Sequence, residues 1–435
     1  MTTPAPQTAR AQRIIARCRE LALCTEVPGE TTRTFLAPSM HRVHALLRGW
    51  MEAAGMHVRI DAVGSLRAVL PGPTPNAPRL LIGSHLDTVP KAGAFDGILG
   101  VVLSLALVED LAPESPLPFA IEVIGFSEEE GVRFSKPFLG SLALIGALDA
   151  ATLARTDRAG ISVTDALRTF GLDPADLPNA LLDPTTFAYL EFHIEQGPVL
   201  ESEGLALGVV DAIAGQTRMQ FVFTGQSNHA GTTPMGRLRR DALAAASEWV
   251  VEIERYANTC PGLVATVGKL ETTAGVSNII PGEVIATLDI RHAHDAIRHP
   301  AVAHCIEQAH AAAAARGVTV AHTTTMEQPA VPMDSTLAAG LAEAAARATG
   351  IPPRRITSGA GHDAMIVARR IPAAMLFLRS PGGLSHHREE TVLPADVEAA
   401  LATGVEFLRR LRDDKAMLDQ ISAPTPRPQP EDAHA

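Results

Sequence analysis

"IGSHLDTVPKAGAFDGILG" (82–100) places a His and two Asp where a strand-like run gives way to a turn rich in Gly and Pro. The lead-in, "PRLLIGSHLD" (78–87), is almost continuously apolar, as a strand covered on both faces should be. A helix over 98–112 follows, and "FAIEVIGFS" (119–127) reads as the next strand. The order strand, helix, strand predicts an α/β domain built on a mixed sheet with helices on both faces. In such sheets ligands bind beyond the carboxyl ends of the strands, so the residues there carry the functional signal.

Four apolar strands end in ionisable residues. "LLIGSHLD" delivers His85 and Asp87, and "VIGFSEEEG" delivers Glu128, Glu129 and Glu130. "LEFHIEQG" delivers His193, and "FLRSPGGLSHHREE" delivers His386 and His387. Asp96 stands in the loop before the helix. Charges emerging from buried strands need compensation, and Arg133 and Arg388 are the close candidates. A set of imidazoles and carboxylates with so few cationic partners points to a metal centre.

Working outward, helical periodicity covers 8–24 and 36–54, with Thr31, Thr32 and Ser39 as candidate caps, and "HVRIDAV" and "SLRAVLPG" read as strands. The texture changes near 212. Strand, helix, strand, strand, helix, strand then follow to about 328, the order of a ferredoxin-like α+β sandwich. The expected domains are therefore 1–212 with 329–421, and an inserted 213–328. The polar, Pro-rich tail 422–435 is expected to be disordered.

The chain has 435 residues and a formal net charge of -11, which gives no electrostatic support to a nucleic-acid or membrane-surface role. Cys18, Cys24, Cys260 and Cys305 form no close CxxC pair and read as reduced thiols. The N-terminus carries no apolar signal core, and "ILGVVLSLALV" (98–108) is too short to span a bilayer. The expected location is the cytoplasm.

Five segments, "GSHLDTVPKAGAFDG", "FSEEEGVRF", "FHIEQGPVLE", "HAGTTPM" and "GLSHHREE", resemble in sequence and order the M20 metallohydrolases. More narrowly they resemble the branch of allantoate amidohydrolases and N-carbamoyl-L-amino-acid hydrolases. The resemblance runs from about residue 10 to 413. It implies a site for two divalent ions, zinc or manganese with cobalt or nickel as alternatives. His85 and His386 would bind different ions, Asp96 would bridge them, and Glu130 and His193 would complete the two sets. Glu129 would be the general base. Asp87, two residues from His85, is placed to fix its tautomer. Glu128 is expected to face solvent, and His387 to lie at the surface.

The inserted domain resembles the family's lid and dimerisation domain, which implies a homodimer. His229 in "SNHAGTTPM" would stabilise an oxyanion in the partner subunit's site. Asn278 in "GVSNIIPGEV" and Arg291 in "LDIRH" would hold a substrate carboxylate. Arg291 also reads so on its own, as a planar fork ending a strand. Gln196, near His193, can hydrogen-bond an amide or ureido group. His292 and His294 in "RHAH" read as ordinary strand-end residues, and His362 and Asp363 in "SGAGHDAM" lie in a segment matching one near the family's site. The implied reaction is hydrolysis of a linear amide or ureido C–N bond on a small carboxylate-bearing substrate. Allantoate is the first choice and an N-carbamoyl-L-amino acid the second. A peptidase fits "HIEQGPVLE" poorly. A catalytically silent metal-binding dimer fits poorly with the base Glu129 and all five ligand positions in place.

Overall fold

The computed structural model describes residues 6–112, 114, 116–273 and 275–422. They form two compact units, one from residues up to Asp211 together with those from Met333, the other Ala212–Pro332. In chain order the strands are β1 (His57–Ile60), β2 (Leu66–Leu70), β3 (Arg79–His85), β4 (Ala120–Phe126), β5 (Thr186–Ile194) and β6 (Leu207–Ile213). There follow β7 (Gly215–Thr224), β8 (Val264–Thr272), β9 (Glu283–His292), β10 (Thr319–Gln328), β11 (Val331–Pro332), β12 (Arg354–Ser358) and β13 (Ala373–Leu378).

The larger unit's sheet runs β1-β2-β4-β3-β5-β13-β6, with β12 also paired to β6. The central strands β4, β3, β5 and β13 are mutually parallel. β1, β2 and β6 join antiparallel, so the sheet is mixed, as expected. Every residue of β4, β5 and β13 is buried, which is why these strands read as near-continuous apolar runs rather than alternating ones. The helix Ile98–Leu111 is apolar on nearly all sides because it is enclosed, and it shares one core with the helices Pro6–Ala22 and Pro394–Asp413.

Local differences from the sequence reading have simple causes. None of Thr31, Thr32 or Ser39 caps the second helix, Pro38–Ala53; Ala37 stands at its N-cap and Pro38 in its first turn, where a missing N–H costs nothing. Ser422 closes a helix, Lys415–Ser422, rather than opening a disordered tail. The remainder of that tail, 423–435, lies outside the described residues. No described helix is long and apolar enough to cross a membrane. The four cysteines are free.

The second unit is an antiparallel sheet ordered β10-β7-β9-β8. Counted within the unit this is fourth, first, third, second, with the helices Ala242–Thr259 and Asp295–Ala315 as the two crossings, a ferredoxin-like arrangement. Alternate residues of β9 (Val284, Ala286, Leu288, Ile290) pack with Phe221, Phe223 and Trp249 in its core. β11 pairs with Ala212 and Ile213, so the second unit begins and ends beside itself and extends past the join read near 329.

Candidate metal centre

The parallel strands β4, β3, β5 and β13 end on one edge of the sheet, and that edge collects the ionisable residues. His85 is the last residue of β3 and His193 the penultimate residue of β5. Asp96 comes from the loop between β3 and the helix Ile98–Leu111. This loop passes so close to His85 that a Cβ on Gly97 would lie 2.5 Å from the ring. Gly97 also has φ +68, so the turn needs glycine for both reasons.

Asp96 faces two ways. Its Oδ1 lies 3.2 Å from His193 Nε2 and 3.7 Å from His85 Nε2. Its Oδ2 lies 3.4 Å from His386 Nε2, which is itself 3.7 Å from Glu130 Oε2. The donor atoms of His85, Asp96 and His193 all lie within 4.8 Å of one another, as do those of Asp96, Glu130 and His386. His85, Glu129 and Glu130 make a further such group. The structure therefore brings together His85, Asp96, Glu129, Glu130, His193 and His386.

The protonation pattern suits a cation. His85 Nδ1 lies 3.0 Å from the carbonyl oxygen of Asp87, and His193 Nδ1 lies 2.9 Å from that of Ile194. With each Nδ1 donating there, a cation that displaced any proton on Nε2 would meet both Nε2 lone pairs, the two atoms lying 3.5 Å apart. Burial pushes Asp96 up, but His193 and His85 hold it well below the usual carboxylate range. Burial pulls His85 down, yet Asp87 and Asp96 hold it well above the usual imidazole range. Burial, aided by Glu130 and Asp363 and opposed by His85, raises Glu129 well above its ordinary value. Burial and then the charge of Asp96 push Glu130 up to about 8. Among the described residues no Lys or Arg pairs with Asp96, Glu129 or Glu130. Arg133 turns to Asp157 instead, at 3.0 Å. Glu130 Oε1 is buried with no hydrogen-bond partner. Nitrogen and oxygen donors, one carboxylate shared between two groups, and an orphaned oxygen fit divalent cations.

His386 and Gln196 both sit at positive φ, +55 and +59, a conformation costing a non-glycine residue roughly 1–2 kcal/mol. Such strain concentrates at functional sites. Gln196 donates its Nε2 to Asp96 Oδ2 and Ser385 Oγ, both at 3.0 Å. Its Oε1 is buried and unpartnered.

Other residues depart from expectation. The Asp87 carboxylate lies 3.5 Å from His85 Nδ1, farther than its own carbonyl. It accepts instead the backbone N–H groups of Glu129 and Glu130, at 2.9 and 3.1 Å. Glu128 is fully buried rather than solvent-facing, because the chain turns after Phe126 and its Oε1 accepts the N–H of Gly131 at 2.6 Å. His387 is exposed. His362 is buried against His193, ring centroids 4.5 Å apart, with Nε2 3.0 Å from Ser358 Oγ. Burial and then His193 hold it well below the usual range, and so neutral. Asp363, beside it, is fully buried.

Two carboxylates went unread in the sequence. Glu191, two residues before His193 and so on the same side of β5, accepts from Ser84 Oγ and the Ala364 N–H, each at 2.9 Å. Glu390 accepts the backbone N–H groups of Phe95 and Asp96, each at 3.0 Å. The Glu191–His193 spacing was a usable signal; Glu390 offered none beyond lying in "HHREE".

In the second unit His229 Nδ1 accepts the N–H groups of Gly231 and Thr232, at 3.1 and 3.2 Å. The neutral ring then carries its proton on Nε2, as a donor. Asn278 lies beside it, its carbonyl accepting the Ala230 N–H at 2.9 Å. Arg291 lies near the far end of β9, its fork on both oxygens of Asp289 at 2.8 Å. Asn278 and Arg291, expected to act together on one carboxylate, are thus separated by the length of that strand. His292 is satisfied within the unit by the His294 N–H and the Pro261 carbonyl, as an ordinary strand-end residue would be.

Residues 81–413 match the model of peptidase family M20/M25/M40. An allantoate deiminase of Glycine max is 38% identical over 440 residues, spanning 93% of this chain and 90% of its own. An N-carbamoyl-L-amino acid amidohydrolase of Geobacillus stearothermophilus is 37% identical over 402 residues, spanning 92% and 97%. The crystal structure of an amidase of the hydantoinase/carbamoylase family from Burkholderia multivorans superposes with a TM-score of 0.86 at 32% identity, covering 95% of this chain and 98% of that one.

Proposed function

The chain belongs to peptidase family M20/M25/M40, and from that premise we propose a metal-dependent amidohydrolase that cleaves a linear amide or ureido C–N bond of a small carboxylate-bearing substrate. Allantoate is the first substrate proposed and an N-carbamoyl-L-amino acid the second, matching the names of relatives of near-equal identity. The observation that carries the reading is the two-sided Asp96, with His85 and His193 toward one oxygen and Glu130 and His386 toward the other.

His85, His193 and Asp96 would hold one divalent ion, and Asp96, Glu130 and His386 a second, zinc or manganese with cobalt or nickel as alternatives. Such a pair supplies Lewis acidity, making the attacking water more acidic and polarising the scissile carbonyl. Glu129 would take the proton from that water and pass it to the leaving nitrogen. Asp87 keeps Glu129 and Glu130 pointing to separate tasks by gripping both of their backbone N–H groups. The unpartnered Oε1 of Gln196 is an acceptor for a ureido N–H.

His229 would give its Nε2 proton as a hydrogen bond to the oxyanion. Asn278 would assist beside it. Arg291 would anchor the substrate carboxylate, which must then compete with Asp289 for the fork. A homodimer belongs to the same proposal. On the outer edge of β8 no described strand pairs, and there Val264 is 58% exposed and Leu270 40%, features that favour pairing with a second copy.

The test is a panel assay of the metal-loaded protein. It compares allantoate, ureidoglycolate, N-carbamoyl-L-amino acids, N-acetyl amino acids and dipeptides, scoring ammonia and free amine. Turnover confined to the ureido acids is expected. Turnover of dipeptides alone would replace this reading with a peptidase.

A further inference from the structure

Glu390 is a buried carboxylate with no role in the chemistry above. It is 4% exposed, and a single oxygen, Oε1, accepts both the Phe95 and the Asp96 N–H at 3.0 Å. Its own N–H donates to the carbonyl of His387, at 3.0 Å. A short segment therefore presents His386 at one end and grips the backbone of Asp96 with the other.

The loop is shaped for this grip. A Cβ on Gly93 would lie 2.4 Å from Glu390 Cβ and 2.6 Å from its Oε1, so the loop runs over the carboxylate at a distance no other residue permits. Phe95 anchors one side of the loop in the core, but the other side is open. On the outer side Gly93, Ala94, Phe95 and Glu390 border a cleft of about 760 Å³. Here two hydrogen bonds to one carboxylate oxygen fix the two consecutive peptide groups that lead into the Asp96 side chain. Gln196 and Ser385 meet that side chain from the opposite end, at Oδ2.

We propose that Glu390 is a positioning residue that aims the two oxygens of Asp96 at the two ligand pairs and ties the His386 loop to the Asp96 loop. The proposal rests on the metal-centre reading. Residues that orient ligands in this way typically contribute about 10- to 100-fold in metal affinity or activity. Only Oε1 is engaged, Oε2 having no partner, so a glutamine carbonyl can do the same work.

The experiment loads wild type, Glu390→Ala, Glu390→Gln and Gly93→Ala with Co²⁺. It records the visible spectrum, the affinity by competition with a chromophoric chelator, and kcat and KM on whichever ureido substrate the wild type turns over. Glu390→Ala and Gly93→Ala are expected to shift the Co²⁺ spectrum, to weaken binding about 10- to 100-fold, and to lower kcat with KM little changed. Glu390→Gln is expected to keep the wild-type spectrum. If Glu390→Ala does not fold by circular dichroism, Gly93→Ala and Glu390→Gln carry the comparison. A wild type that binds no Co²⁺ would remove the metal-centre reading itself. A wild type that binds Co²⁺, with Glu390→Ala or Gly93→Ala matching it in spectrum, affinity and kcat, would overturn the role of Glu390 alone. So would a Glu390→Gln protein as damaged as Glu390→Ala.

Discussion

His229 and Arg291 lie toward opposite ends of one sheet. His229 bridges Ile279, ahead of β9, and Arg291 pairs with Gln216 at the other end of that strand. From Glu283 to Arg291 alone, at ~3.4 Å per residue, the separation is about 27 Å. No small ureido acid spans that distance, so the roles proposed for His229 and Arg291 cannot both be filled by one copy on one substrate, and the proposal requires one of the two from a partner subunit.

The mixing experiment follows directly. His229→Ala and Glu129→Gln proteins should each be nearly inactive. After subunit exchange, a mixed dimer would hold one site with both groups intact and recover part of the wild-type rate. No recovery after exchange verified by mass spectrometry would rule out supply by the partner subunit.

The adjacent carboxylates Glu129 and Glu130 should separate on substitution. Glu129→Gln should retain metal and lose about 10²-fold or more in turnover, since only the proton transfer is removed. Glu130→Gln should lower metal occupancy, measured by elemental analysis of the purified protein. Normal turnover of Glu129→Gln with metal retained would show that another group moves the proton.

Far from the centre, His44 predicts a pH effect on stability. It is buried in the helix Pro38–Ala53, edge-on to Phe170 at 5.9 Å. Burial, with His41, Arg48 and Arg33 adding positive potential, lowers it to about 4. The unfolded chain then takes up this proton near the ordinary value of about 6.5 while the folded chain resists it. The stability is present above pH ~6.5 and is lost as pH falls from there toward 4, by about 3 kcal/mol at most. Denaturant unfolding of the wild type and His44→Leu should show the wild type losing more stability across that window. Parallel pH dependences would show that His44 is not the group responsible.

What was legible in the sequence follows from which physics is local. An apolar run ending in His or a carboxylate announces a buried strand meeting a site, and this was enough to find His85, His193 and the Glu cluster. Glu128 was expected in solvent, whereas the backbone turns at once after Phe126 and folds the side chain inward onto the Gly131 N–H, a local turn the sequence does not announce. Glu390 was invisible because its partners are backbone N–H groups 294 and 295 residues away, and backbone donors carry no side-chain signature. Asn278 and Arg291 were grouped by their resemblance to the family's substrate contacts. Only the register of β9 shows how far apart they lie.

The most direct test of the central claim is the rate of ureido-acid hydrolysis before and after metal removal. Protein stripped with a strong chelator, with removal verified by elemental analysis, should lose its activity and regain it on addition of Zn²⁺ or Mn²⁺. Asp96→Ala should not regain it under the same addition, because that one carboxylate faces both ligand sets. Full activity in verified metal-free protein, or normal activity in Asp96→Ala, would contradict the two-ion account.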